Sequence, residues 1–313
     1  MFMNTASSRA PRRREARSHF GFTLLELLLV VAIIGILAGI LLSALAKSKT
    51  RAQGLFCMNN TRQLAMAWQV YADEHNGRLA YNLGVGIPVP QLAAAQITPP
   101  PPMSANWANN VLDWEVNNAD NTNALKLVRS GLGPYARKPS TYRCPSDSVL
   151  SGIQANAGWE PGRVRSYSMN AMIGDAGGFS QSGININNPD YVQFFTAVSL
   201  RRPADIFVFV DEHPDSIRDG YFLNKEGVGA TWIDLPASYH DGAASFSFAD
   251  GHAEMHRWRN ASTKPPSRPY SAHLPIQIPA GEQSDFNWVM SRTSVERGNG
   301  AYAPPSSSYG SGY

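Results

Sequence analysis

The sequence predicts an α+β fold in which one long N-terminal helix precedes a head built mainly from short strands. Three observations carry this. Leu27 to Ala46 holds no charge and is rich in Leu, Ile and Val, and a helix of about twenty such residues crosses a bilayer at ~1.5 Å per residue. No proline interrupts the chain from Ala46 to Pro88, and Cys57, Leu64, Trp68 and Tyr71 recur at the spacing of one helix face. Beyond Arg163 come short runs rich in aromatic and β-branched residues, separated by turn residues.

Composition bounds the function classes. The 313 residues are 43% hydrophobic and 16% charged, with 26 Gly, 22 Pro and 2 Cys. This is long and apolar enough to bury one or two real cores. Two cysteines exclude a disulfide-dense scaffold and a four-cysteine zinc module. The net charge of +3 is misleading, because Arg9, Arg12, Arg13, Arg14 and Arg17 lie before residue 22 with Glu15 as their only opponent. The remainder is close to neutral, so the basic pI gives no argument for nucleic acid as a partner, and none is expected.

The helix is justified first. The arginines ahead of the apolar run outweigh Lys47, Lys49 and Arg51 behind it, which places the N-terminus in the cytoplasm and the rest of the chain across the membrane. The apolar run is longer than that of an ordinary secretory signal. Gly35 and Gly39 form a small-xxx-small pair that lets helices approach closely. The helix should continue as an amphipathic segment to His75 and end at Asn76-Gly77. The apolar face bearing Trp68 and Tyr71 then needs a cover.

Ahead of the apolar run stands Gly21-Phe22-Thr23-Leu24-Leu25-Glu26. A carboxylate inside an apolar helix costs about 2.5–3.5 kcal/mol on insertion scales, so Glu26 asks for a partner. This stretch resembles the signal of type IV prepilins and type II secretion pseudopilins. The resemblance implies cleavage between Gly21 and Phe22 by prepilin peptidase, methylation of the Phe22 amine, and a role for Glu26 in assembly. It also implies a pilin-like architecture, with the helix packed against an antiparallel sheet. The domain expectations are a leader at 1–21, a transmembrane half-helix at 22–46, an amphipathic half at 47–76, a head at 77–294 and a disordered tail at 295–313.

Within the head, the proline-rich segment 83–104 reads as an extended loop. A short helix is expected from Asn123 to Arg129, and strands at Arg163–Met169, Val192–Leu200, Ile206–Val210, Ala243–Ala249 and Ala253–Trp258. His240 is followed nine residues later by Asp250-Gly251. Asp-Gly is a favoured two-residue hairpin turn, pairing Phe248 with Ala253 and Phe246 with Met255 on a core face and leaving Ser245, Ser247, Glu254 and His256 toward water. The rival for His240, Asp250, His252, Asp211, Glu212 and His213 is a metal site; the turn is the preferred reading, with no cofactor, and a structural divalent cation such as calcium stays open beside it. His-x9-Asp-Gly, Cys57-Met58-Asn59-Asn60, Tyr142-Arg143-Cys144-Pro145-Ser146-Asp147, Ser166-Tyr167-Ser168-Met169-Asn170 and Asp211-Glu212-His213 also resemble a pilin-like family abundant in planctomycetes and verrucomicrobia.

Cys57 and Cys144 both reach the exported, oxidising side. A disulfide between them would close a loop worth about 4–5 kcal/mol in the chain-entropy picture, and two free buried thiols are the other reading. The functional expectation is a non-enzymatic subunit of a type II secretion pseudopilus or a pilus-like filament. It would be anchored in the inner membrane with its head in the periplasm. Its expected partners are prepilin peptidase, other pilin subunits, the secretion system's inner-membrane platform and the lipid bilayer. The alternative is an anchored periplasmic protein whose head is a metal-dependent enzyme or binds glycans, with Trp107, Trp114 or Trp232 as platforms.

Overall fold

The computed structural model describes residues 23–84, 106–159, 162–180, 183–225 and 229–298. The expected leader with Gly21 and Phe22, most of the proline-rich segment and residues 299–313 lie outside these. The chain divides into two compact units, Met1–Ser48 and Lys49–Tyr313. Helix α1 spans Leu24–Glu74.

In the first unit, every described residue is exposed, and Leu28, Ile34, Ile36, Leu41 and Leu45 present bare aliphatic side chains. Among the described residues, α1 is the one helix long and apolar enough to cross a membrane. In water such a surface is untenable, which is the physical case for a lipid or helical cover.

In the second unit, α1 buries Cys57, Thr61, Leu64, Ala65, Trp68, Tyr71 and Ala72, the face that the spacing marked out. The helix ends as its sequence requires. Asn76 and Gly77 take positive φ, and the Gly77 amide donates to the Ala72 carbonyl at 2.8 Å, a left-handed cap that satisfies an end carbonyl.

The helix lies on a five-stranded sheet with the order β3-β1-β2-β5-β6, built from β1 (Tyr167–Asn170), β2 (Phe207–Asp211), β3 (Tyr221–Phe222), β5 (Ala243–Phe248) and β6 (Ala253–Arg257). A second pair joins β4 (Thr231–Trp232) to β7 (Ile276–Gln277). The main sheet is mixed, because β1 and β3 run parallel; the all-antiparallel expectation is corrected at that edge. Short helices complete the head: α2 (Ala124–Val128), α3 (Gly133–Ala136), α4 (Gly152–Asn156) and α5 (Ser284–Met290). Asn123 caps α2 by accepting from the Leu125 amide.

Both faces of the sheet are covered. Toward α1 lie Tyr167, Met169, Val208 and Phe209 with Leu64 and Trp68. On the far side Phe207, Val210, Phe246 and Phe248 pack with Trp258, Phe286, Val289 and Met290. All six residues of β5 are therefore buried, and the half-solvated hairpin expected from the sequence is corrected. Ser245 and Ser247 face α1, where Thr61 Oγ1 lies 2.7 Å from Ser245 Oγ. Small polar residues here let a helix sit close to a strand.

The hairpin register also differs from the expectation. Ser247 pairs with Ala253 and Phe246 with Glu254, and the Phe248 amide donates to the His252 carbonyl. The loop is thus Ala249-Asp250-Gly251, with positive φ at Gly251 and not at Asp250. A two-residue type I′ turn needs both; the three-residue loop places the glycine at the left-handed position instead. Residues 192–200 do not form a strand. Their backbone bonds go to separate segments, Val192 to Val295, Phe194 to Met172 and Gly174, and Ala197 to Gly77, so no single ladder builds up. Val295 to Arg297 dock through the same region, where Tyr191 pairs with Glu296, so the head runs past 294.

Candidate functional site

Two places carry chemistry. The first is the start of α1, where Thr23-x-x-Glu26 forms a reciprocal cap. The Thr23 amide and hydroxyl donate to Glu26 Oε2 at 2.9 and 2.8 Å, and the Glu26 amide donates to Thr23 Oγ1 at 3.2 Å. This capping box satisfies two helix-end groups and gives the carboxylate a partner within its own chain. The sequence reading left the partner of Glu26 unnamed; the signal it missed is the Thr-x-x-Glu spacing itself.

The second place is inside the head, where four elements converge. Cys57 comes from the buried face of α1, and one turn earlier the His240 ring lies against the helix at Gly54. Asp211 ends β2. A bulge in that strand sets Phe207 opposite Phe248 and Phe209 opposite Ser247, so two residues face one. Phe207 therefore points to the far core, Val208 and Phe209 to the helix side, and Val210 away again. Asp211 is consequently aimed at α1, whereas unbroken alternation from Phe207 would turn it to the far side of the sheet. Cys144 comes from the loop after a short 3-10 turn at Pro139–Tyr142, and His240 from the segment entering β5.

The result is a buried quartet. Cys57 Sγ donates to Asp211 Oδ2 at 3.1 Å, Cys144 Sγ lies 3.3 Å from His240 Nε2, and His240 Nε2 lies 3.5 Å from Asp211 Oδ2. One donor atom from each of the four residues lies within 4.8 Å of every other. Around them the Tyr167 hydroxyl donates to Cys57 Sγ at 3.3 Å, and Ser146 Oγ stands 3.5 Å from His240 Nδ1. Asp211 Oδ1 is buried with no hydrogen-bond partner.

Burial sets the electrostatics. It pushes the Cys57 thiol well up, with Cys144 and Asp211 adding to the effect. It also raises the Asp211 carboxyl, against the opposing pull of His240 and Cys57. For His240 burial works downward, but its contacts with Asp211 and Cys144 outweigh it and raise the imidazole to about 10. Cys57, Asp211 and His240 thus hold their protons more tightly than they would in water.

The other expected site residues separate. Asp250 and His252 sit on the exposed hairpin loop at the opposite end of β5 from His240, with His252 Nδ1 2.6 Å from Asp250 Oδ1. Glu212 accepts from Ser216 at 2.7 Å, and His213 accepts from the Asp215 amide at 3.2 Å. The six-residue metal set weighed from the sequence is therefore not assembled; only Asp211 and His240 meet, and their companions are the two cysteines. These cysteines are free in the structure, their sulfurs within 4.8 Å of each other and each directed to a different polar neighbour. Trp107, Trp114 and Trp232 are buried, which removes them as glycan platforms.

No curated protein and no solved structure matches the chain. Residues 16–42 match the family model described as the prokaryotic N-terminal methylation motif. That segment ends within the exposed apolar part of α1 and includes Gly21, Phe22 and Glu26. The chain thus carries a prokaryotic N-terminal methylation motif of the type IV prepilin kind, joined to an α+β head of pilin-like architecture.

Proposed function

We propose that the protein is a structural subunit of a type II secretion pseudopilus or a pilus-like filament. The observation that carries this is the methylation motif at 16–42 set directly on an exposed apolar helix. On this reading prepilin peptidase cuts after Gly21, the Phe22 amine is methylated, and the helix waits in the inner membrane with the head in the periplasm. Assembly at the inner-membrane platform then buries the apolar half of α1 against the same half of other subunits. Gly35 and Gly39, where an added Cβ would meet nothing within 4 Å, suit close helix contacts. The work is mechanical rather than enzymatic.

Glu26 has two roles on this reading, as a cap for its own helix and as a charge for the neighbouring subunit's Phe22 amine, strengthened in a lipid-like interior. The test separates them. Membrane-extracted protein should show a methylated Phe22 N-terminus by mass spectrometry, and an intact leader would overturn the processing step. Glu26→Gln keeps a side chain able to complete the capping box but removes the charge, while Glu26→Ala removes both. Sheared filament yield at matched expression should fall severalfold or more in both variants. Wild-type yield from Glu26→Gln would reduce Glu26 to a cap and end the charge-pairing reading.

A further inference from the structure

We propose that Cys57, Cys144, Asp211 and His240 form a four-ligand structural zinc site that staples the spine helix to the sheet. The proposal is independent of the filament reading.

The donor set is the first argument. Two sulfurs, one imidazole nitrogen and one carboxylate oxygen are the ligand kinds that tetrahedral zinc takes in structural sites, whereas calcium takes oxygen alone. Geometry is the second. Zinc holds such atoms about 2.0–2.3 Å from itself, which puts neighbouring tetrahedral ligands roughly 3.3–3.8 Å apart. Three of the six separations, 3.1, 3.3 and 3.5 Å, approach that spacing and the rest lie within 4.8 Å, so an ion at the centre asks the side chains to draw in by up to about 1 Å.

The third argument is the buried carboxylate. Asp211 is fully buried and Oδ1 has no hydrogen-bond partner, a costly arrangement if the group has only a thiol and an imidazole to face. A cation held at Oδ2 would offset the cost of burying this charge. Outer partners are also in place, since Ser146 Oγ lies against His240 Nδ1 and Tyr167 donates to Cys57 Sγ; such groups fix ring orientation and ligand direction around a metal.

The ligands come from α1, the loop after Tyr142, the end of β2 and the entry to β5, so one ion would join four parts of the head. Binding is balanced by proton release. Both cysteines bind as thiolates, Asp211 as carboxylate and His240 as neutral imidazole, and the displaced protons go to solvent. An exported protein with two adjacent thiols faces oxidation to a disulfide; coordination would hold both sulfurs in their reduced state.

The experiment uses the full-length protein, extracted in detergent from membranes of cells that export it. Elemental analysis should find about one zinc per chain. Both thiols should resist alkylation until a strong chelator is added, and cobalt added to the chelated protein should give the visible bands of tetrahedral thiolate coordination. Asp211→Asn and Cys144→Ser should each lower retained zinc at least tenfold after dialysis. Because a variant can misfold, the wild-type protein decides. Zinc below about a tenth per chain, with either a Cys57–Cys144 disulfide in the peptide map or thiols that alkylate at once, would overturn the proposal.

Discussion

Asp250 and Gly251 adjoin in sequence, yet the structure gives them unequal weight. Asp250 is exposed and its carboxylate serves the His252 amide at 3.0 Å, so Asp250→Ala should cost less than about 1 kcal/mol. Gly251 has φ of +92°, and a Cβ there would come within 3.3 Å of the Gln69 side chain, which donates to the Ala249 carbonyl. A β-branched residue meets strain and displaces that link between hairpin and helix. Gly251→Val should therefore lose at least about 2 kcal/mol of head stability, read as a lower denaturant midpoint. His256 offers a pH test. It is half-buried and stacks on Trp288 at 3.7 Å, and burial, with a smaller push from Arg292 and Arg259, overcomes Asp285 to lower its pKa to about 4. The unfolded chain takes up this proton near the ordinary value of about 6.5, the folded head only near 4. Its contribution is thus whole above pH 6.5 and is lost as pH falls through that window. The melting temperature of wild-type protein should fall more steeply from pH 6.5 to 4 than that of His256→Gln; parallel curves would remove His256 as the cause.

At the scale of elements, the interface between α1 and β5 depends on small side chains. Ser245 is fully buried beneath Thr61, and Thr61 Oγ1 also reaches the Met58 carbonyl at 3.0 Å. Ser245→Ala leaves Thr61 satisfied and should cost about 1 kcal/mol, whereas Ser245→Leu forces bulk between helix and strand and should cost about 3 kcal/mol or more. Denaturation followed by tryptophan fluorescence would compare them; equal costs would show that the interface is loosely packed. This interface also marks the limit of periodicity as a guide. Alternation Phe246, Phe248 against Ser245, Ser247 correctly separated two faces of β5, but a polar face looks the same in sequence whether it meets water or a close-packed helix. Helix α5 was missed although Phe286, Val289 and Met290 show helical spacing, because no capping side chain marks its start as Asn123 marks the shorter α2.

For the whole molecule, the sequence by itself determined the α+β class, the extent of the spine helix and its buried face, and the signal at its start. These are local properties: charge-free length, a spacing of three and four, a proline-free run, and a motif of adjacent residues, each decided by neighbours in the chain. It also gave the positions of β1, β2, β5 and β6 to within a few residues. The tertiary structure alone decided the mixed strand order, the cover on the far face of the sheet, and the bulge that turns Asp211 toward α1. Above all it decided the company of the cysteines. Cys57 and Asp211 lie 154 positions apart, and Cys144 and His240 lie 96 apart, with no spacing rule to connect them. Their meeting follows from a helix laid across a sheet and from one extra residue in one strand, and both are settled by packing between distant segments rather than by any local preference of the chain.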